Sequence, residues 1–453
     1  MTQGVTKAGK TPTKIATGLV LATMLSACMS EQGGGAGFAE NLTTRGLFGA
    51  ETAPVDPGAP ALSSEMENGE RSAIIDGLLA RRSVLQGGSL ARVADSVLDA
   101  NSRAAEAELR AATLRAEAAS TNWLPTLGPG LSLNSLGNVV TQLVVDQVLF
   151  DNGGKRAERD FAAADVEVAA IALAQDTNER VLSALELYLD AESATARANV
   201  NAAAMARMEH FEYIMTERVN AGVSDRADLA IVTQRLNQMR SDLATDREAA
   251  GAAMGELSAM SAGSLTGLSG VSAIGTTSNA IDPLAVLKAR AESNRAVAHA
   301  TAQRAGYLPG VSLGGDVGNG VSGLGLNVGA ANGIGFGTGA SLRAIEATRE
   351  GAEARIGQAQ EDANRSLLAL QAELDSTQRQ ASQAQGLARQ AAENYDIFAQ
   401  QLEAGRRTVP DAVGVFETKV RTEREAVVLG FEVARLKLQI AAIRGSLVDG
   451  DQI

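Results

Sequence analysis

From Ile356 to Leu402, apolar residues recur every three or four positions without a slip. They are Ile356, Ala359, Ala363, Leu367, Leu370, Leu374, Ala381, Ala384, Ala388, Ala391, Tyr395, Phe398 and Leu402, with Thr377 as the one polar member. The intervening residues are mostly Gln, Glu, Arg, Asn and Ser. A 3.5-residue repeat held this long predicts a helix with a narrow apolar seam, which must bury itself against another helix. Gly405 breaks the pattern and Pro410 suits the first turn of a following helix, so 356–450 reads as an antiparallel helical hairpin turning at Gly405.

A second long helix is predicted earlier in the chain. After Asp151-Asn152-Gly153-Gly154 there is neither Gly nor Pro up to Asn220. That stretch of about 66 residues would extend roughly 100 Å at 1.5 Å per residue. Its seam includes Ala163, Val166, Ala170, Leu173, Val181, Ala184, Tyr188, Ala191, Ala198, Met205 and Met208. Gly222 then turns the chain, and Ser224 is the expected N-cap of a return helix reaching about Met260.

These landmarks occur twice. Trp123-Leu124-Pro125 and Tyr307-Leu308-Pro309 each close an Ala-rich helical segment and open a Gly-rich alternating one, 184 residues apart. Val219-Asn220-Ala221-Gly222-Val223-Ser224-Asp225 matches Leu402-Glu403-Ala404-Gly405-Arg406-Arg407-Thr408, with the glycines 183 residues apart. A spacing kept within one residue across two landmarks indicates a duplication. The predicted organisation is a leader at 1–27, a flexible tether at 28–75, a first repeat at 76–260, a linker at 261–280 and a second repeat at 281–448. Each repeat runs short helix, strand hairpin, long helix, glycine turn, return helix. In the first these are 94–122, 125–150, 152–220 and 224–260; in the second, 283–306, 309–340, 342–402 and 410–448.

The strand segments alternate apolar residues with glycine or polar ones: Leu131 and Leu133 against Ser132 and Asn134, then Leu324-Gly325-Leu326-Asn327-Val328 and Ile334-Gly335-Phe336-Gly337-Thr338. Such a sheet has one greasy and one slim or polar face, as a wall between lipid and water requires. One hairpin per repeat is too little to close a barrel, and strand edges at membrane depth cannot stay unpaired. Several chains are therefore expected to share one barrel. A longer extracellular loop is predicted near 329–333.

Composition narrows the chemistry. Aromatics make up 3% of the 453 residues and Gly numbers 47, which suits thin, closely approaching helices better than an aromatic-rich globular core. With two histidines, His210 and His299, and one cysteine, the chain has little equipment for metal ligation or nucleophilic catalysis, so neither enzyme activity nor a cofactor is expected. A net charge of −13 opposes nucleic-acid binding. There is also no phosphate-binding glycine loop with lysine.

The chain opens with an address. Lys7, Lys10 and Lys14 precede the apolar run from Ile15 to Leu25, too short to span a bilayer. The run ends in Leu25-Ser26-Ala27-Cys28, which resembles the bacterial lipoprotein lipobox and implies cleavage before an acylated Cys28. Met29 follows, where lipoproteins kept in the inner membrane usually carry Asp, so outer-membrane sorting is expected. Residues 29–70 are rich in Gly, Ser, Ala and Pro and read as a tether without a core.

The lipobox, the duplication, the Leu-Pro strand entrances, the stretch from Gln147 to Gly154 and Ala404-Gly405-Arg406-Arg407-Thr408-Val409-Pro410-Asp411 together resemble the TolC family of outer-membrane channels. The resemblance spans roughly 90–448. It implies a mainly α fold with a membrane β-barrel portion: long antiparallel coiled-coil helices plus four strands per protomer, a trimeric 12-stranded barrel and a helical periplasmic tunnel. The implied role is the exit duct of a tripartite efflux pump or type I secretion system. The implied partners are two further copies, outer-membrane lipid, a periplasmic adaptor and, indirectly, an inner-membrane RND or ABC transporter. Carried over residue by residue, Ala221, Gly222, Val223, Ala404, Gly405 and Arg406 are adaptor-contact tips, and Asp228 pairs with Arg407 to hold the tip shut. Asp411 matches one of two positions in an acidic aperture ring; the other is Gly414, which thins the ring. From the residues alone, the glycines are equally turn formers and Asp411 a helix-start acid. A coiled-coil envelope lipoprotein acting as tether or scaffold is the alternative to a channel.

Overall fold

The computed structural model describes residues 71–452 apart from 101–103, 134–138, 266, 277–280, 319–320 and 334. The leader, Cys28 and the tether up to residue 70 lie outside the described residues. In chain order the elements are α1 (Ala73–Leu79), α2 (Gly88–Asp99), α3 (Ala104–Ser120), β1 (Thr126–Leu133), β2 (Val139–Phe150), α4 (Gly154–Asn220), α5 (Arg226–Met260), α6 (Leu284–Ala305), β3 (Gly310–Gly318), β4 (Val321–Gly329), α7 (Thr338–Glu403) and α8 (Val409–Ile443).

The four strands form one antiparallel sheet in the order β1-β2-β3-β4, so the two repeats meet at the β2–β3 pair. Both strand entrances are built alike. Leu124 N–H donates to Thr121 O (3.0 Å) and Leu308 N–H to Ala305 O (3.0 Å), each just before a proline that cannot continue the helix. At the exit of β2, Asn152 (φ 55°) and Gly153 (φ 85°) take left-handed conformations that turn the strand into α4.

Helix α4 has 67 residues and packs against α2, α3, α5, α6 and α8. Three apolar clusters are threaded along it. Near the sheet, Ile171, Leu173 and Ala174 meet Ile75 and Leu78 of α1, Leu109 of α3 and Leu287 of α6. Midway, Val181, Leu185 and Tyr188 meet Leu90, Val93 and Val97 of α2, Leu257 of α5 and Leu438 of α8. Near the far end, Met208, Phe211 and Met215 meet Val232 and Leu236, Tyr395, and Val413 and Phe416. In α7 every one of the fourteen seam positions read from the sequence is buried or half-buried, with α8 packed alongside. The repeat thus reports a helix pair, as a 3.5-residue stripe must.

Several boundaries differ from the sequence reading, each for a tertiary reason. The single helix expected over 94–122 is two, α2 and α3. The buried face of α2 closes the mid-molecule cluster, whereas α3 packs through Leu109 and Ala112 on the sheet-proximal part of α4. Helix α5 is capped by Asp225, whose Oδ1 accepts from Ala227 N–H (3.2 Å), and not by Ser224, whose Oγ accepts from Arg218 Nε (3.0 Å). The chain from Gly335 to Gly337 is not a strand. β4 has already paired Gly329 with Gly310 at the helical end of the sheet, and Asn332 N–H is held by Gly306 O at 2.7 Å. The segment 329–333, predicted as an extracellular loop, therefore sits where the helices join, beyond the end of β4 at Gly329. Helix α8 stops at Ile443 because Gly445 (φ 60°) folds the chain back, burying Ser446, Leu447 and Val448.

Candidate functional site

The sheet has two unlike faces. Strand register places Leu127, Pro129, Leu143, Val145, Leu313, Val317, Leu324, Leu326 and Val328 on one of them. Leu324 is 79% exposed, Leu326 67% and Val328 73%, values that no water-facing core strand of a lone soluble domain would carry together. The other face is mostly glycine and polar, with Thr126, Gly128, Gly130, Gln142, Asp146, Ser312, Gly314, Asp316, Gly323, Gly325 and Asn327, and carries two valines, Val144 and Val148. Gln147 falls on the apolar face at its helical rim, where its amide is satisfied by Trp123 O (2.7 Å) and Val148 O (3.2 Å). Beside it Trp123 (57%), Leu124 (45%), Leu149 (56%) and Phe150 (56%) are exposed. Strands β1 and β4 are each paired along one side only, leaving two open edges.

About 100 Å from this sheet, by the length of α4, lie the two turns. They are chemical twins. Gly222 (φ 71°) donates to Val219 O and Val223 N–H to Arg218 O (2.9 Å); Gly405 (φ 69°) donates to Leu402 O and Arg406 N–H to Gln401 O (2.8 Å). This paired bonding closes a helix C-terminus around a left-handed glycine. Ala221, Gly222, Val223, Ala404, Gly405 and Arg406 are all exposed, at the same end of the molecule as the cluster around Phe211, Tyr395 and Phe416.

Within the chain no ion pair joins Asp228 to Arg407. Arg407 instead lies over the Phe398 ring (4.7 Å to its centre) and donates from Nε to Gln401 Oε1 (3.0 Å). Asp411 closes a capping box with Thr408: its N–H donates to Thr408 Oγ1, and its Oδ2 accepts from the Thr408 hydroxyl (2.7 Å) and backbone N–H. Those donors, and the nearby Arg407 charge, hold the Asp411 carboxyl below its ordinary range. Gly414 is exposed on the same helix and adds no charge. His210 and His299 are exposed on α4 and α6, the latter against the Phe161 ring (5.5 Å).

Sequence reading missed a charged cross-brace between the repeats. The Asp246 carboxylate on α5, 5% exposed, meets Arg197 of α4 at 3.2 Å and Arg424 of α8 at 2.8 Å, and Arg235 of α5 reaches Glu417 of α8 at 3.3 Å. Burial raises the Glu417 carboxyl while Arg235 opposes the rise. Charges on polar-looking helix faces gave no sign that Asp246 would meet Arg424, or Arg235 meet Glu417, 178 and 182 residues away in the chain.

Solved structures share this fold. The CmeC outer membrane channel of Campylobacter jejuni superposes with a TM-score of 0.66 at 12% identity, covering 79% of this chain and 86% of that one. The outer membrane protein VceC of Vibrio cholerae gives 0.60 at 16% identity, over 83% and 95%. The open-state MtrE outer membrane channel of Neisseria gonorrhoeae gives 0.58 at 16%, over 88% and 96%. This chain has the outer-membrane channel fold. The mainly α fold with a four-stranded sheet expected from the TolC-family resemblance is the one found. The sequence matches no protein-family model, and no curated protein is similar to it in sequence. Among the described residues no helix is long and apolar enough to cross a membrane.

Proposed function

We propose that the protein is an outer-membrane conduit, the exit duct of a tripartite efflux pump or a type I secretion system. The observation that carries this is the two-faced sheet with open edges at the end of a roughly 100 Å helical body. Exposed β edges cannot persist in hydrocarbon, because unpaired N–H and C=O groups there cost several kcal/mol each. Three copies pairing β4 of one with β1 of the next satisfy every edge and give a 12-stranded barrel from four strands apiece. The leucine and valine face then meets lipid, the glycine and polar face lines the lumen, and Trp123 and Phe150 mark the periplasmic interface. The helices continue the wall into the periplasm. Acylated Cys28 adds a lipid anchor, each buried methylene contributing roughly 0.8 kcal/mol.

Cargo passes through without reacting, and the chain supplies no energy. The twin turns are the adaptor-contact tips, Ala221-Gly222-Val223 and Ala404-Gly405-Arg406, which recruit a periplasmic adaptor and through it an RND or ABC transporter. Arg407 of one copy reaches Asp228 of its neighbour when the tip is shut, since the two do not pair within one copy, and Asp411 stands at the aperture.

Purified protein in detergent should run as a heat-modifiable trimer with strand signal, and in planar bilayers should show a small conductance that rises for Asp228→Ala and Arg407→Ala. A soluble, wholly helical monomer without conductance would favour the tether reading instead. Unchanged conductance in both variants would remove the gate assignment alone. Cysteine cross-linking from Gly222 or Gly405 would identify the adaptor.

A further inference from the structure

The four strands contain two ionisable side chains, Asp146 and Asp316, and no lysine, arginine or histidine. Register sets both on the same face, the glycine and polar one: Asp146 opposes Gly314 and Thr126, while Asp316 opposes Val144 and Gly323. We propose that the ion preference of the open conduit is set in this strand segment, by Asp146 and Asp316, and favours cations. The proposal rests on the conduit reading above, in which that face lines the lumen and three copies bring six carboxylates around it.

Three further observations support it. First, neither carboxylate has a hydrogen-bond or ion-pair partner among the described residues, so neither charge is neutralised by the wall; many other acids of the chain, such as Asp165, Asp190, Asp246 and Glu417, are paired with arginine. Second, the glycines opposite them make room. A Cβ on Gly323 would stand 2.9 Å from Asp316 Oδ1, and one on Gly314 would stand 2.9 Å from Asn327 Nδ2 and 3.9 Å from Asp146 Oδ2. The polar side chains therefore lie along the sheet, charging the lumen without crossing it. Third, negative charge at the opposite end is largely offset. Asp411 spends an oxygen on Thr408, Gly414 brings none, and Arg218, Arg226, Arg406 and Arg407 stand beside the acids Glu217, Asp225, Asp228 and Glu403. Uncompensated charge of one sign inside a low-dielectric wall concentrates counter-ions, so the strand segment sorts by charge whatever the tips admit.

The test is reversal potential under a potassium chloride gradient in planar bilayers, for wild type, for Asp146→Asn with Asp316→Asn, and for Asp411→Asn. The asparagines are near-isosteric, and heat-modifiable trimer on gels checks that the double variant assembles. Wild type should prefer potassium over chloride, and the double variant should lose about threefold or more of that ratio while still conducting. Asp411→Asn should keep most of it. A double variant that conducts with an unaltered ratio, a wild type that prefers chloride or neither ion, or a full loss in Asp411→Asn overturns the proposal while the conduit stands. Absence of any conductance from wild type overturns the conduit reading and this inference together.

Discussion

Three glycines close three helices with the same left-handed turn, and they form a matched experiment. Gly222 (φ 71°) and Gly405 (φ 69°) have nothing within 4 Å of an added Cβ, whereas Gly445 (φ 60°) would place its Cβ 2.7 Å from Leu284 Cδ1 and in overlap with Arg81 Nη1. Replacing each by alanine imposes the same backbone penalty, about 1–2 kcal/mol for an L-residue in this region, partly offset by the stiffer unfolded chain. The tip variants should therefore lose about 1 kcal/mol or less. At Gly445 two further costs arise. Overpacking against Leu284 adds about 1–3 kcal/mol. Arg81, which is 2% exposed, donates to Arg444 O and to Asp282 O (2.8 Å); displacing a buried guanidinium from such acceptors adds about 1–3 kcal/mol. Gly445→Ala should thus cost about 3–7 kcal/mol in all. Urea unfolding in detergent, followed by far-ultraviolet circular dichroism, gives the comparison through the shift in midpoint at unchanged slope. If Gly445→Ala falls no lower than Gly222→Ala and Gly405→Ala, then Arg81 and Leu284 do not clamp the C-terminal turn and the reasoning fails.

Asp246→Ala would leave Arg197 and Arg424 facing each other without their carboxylate, at a cost of about 3 kcal/mol, the lower end of the range because both arginines reach water; Asp246→Glu should recover part of it in the same unfolding assay. Leu326→Arg should deplete heat-modifiable trimer, since a cation at mid-membrane on the lipid face costs about 2–4 kcal/mol, whereas Asn327→Arg next to it on the lumenal face should assemble; equal assembly would refute the assignment of faces. Because the Asp411 carboxyl is lowered from 3.8, its cap contributes stability above the ordinary aspartate range and loses it as pH falls through the lowered value. Thr408→Ala should move that loss to higher pH, read by carboxyl-carbon NMR. A wild-type Asp411 titrating at or above the ordinary range would mean that like charges in an assembly outweigh the Thr408 donors.

The sequence alone carried the long-range plan. A 3.5-residue stripe has one physical outcome, burial along a helix pair, so Ile356 to Leu402 announced α7 and its partner, and two copies of the same landmarks announced the second hairpin. The left-handed turns at Gly222 and Gly405 were equally legible, because an exposed glycine ending a regular helix has few other uses. Alternation of Leu324, Leu326 and Val328 with glycine and Asn327 was enough to indicate a two-faced strand. Tertiary structure decided the rest. Alanine-rich sequence reads as helix on either side of a break, so the division into α2 and α3 had to await the cluster each one closes. Which of Ser224 and Asp225 caps α5 depended on Arg218 claiming the serine. That Asp246 lies between Arg197 and Arg424, and that Asp146 and Asp316 share one face without partners among the described residues, follows from which helices and strands lie side by side. A local pattern fixes which side of an element is greasy, but pairing in space is set by the packing of segments far apart in the chain, to which no local period refers.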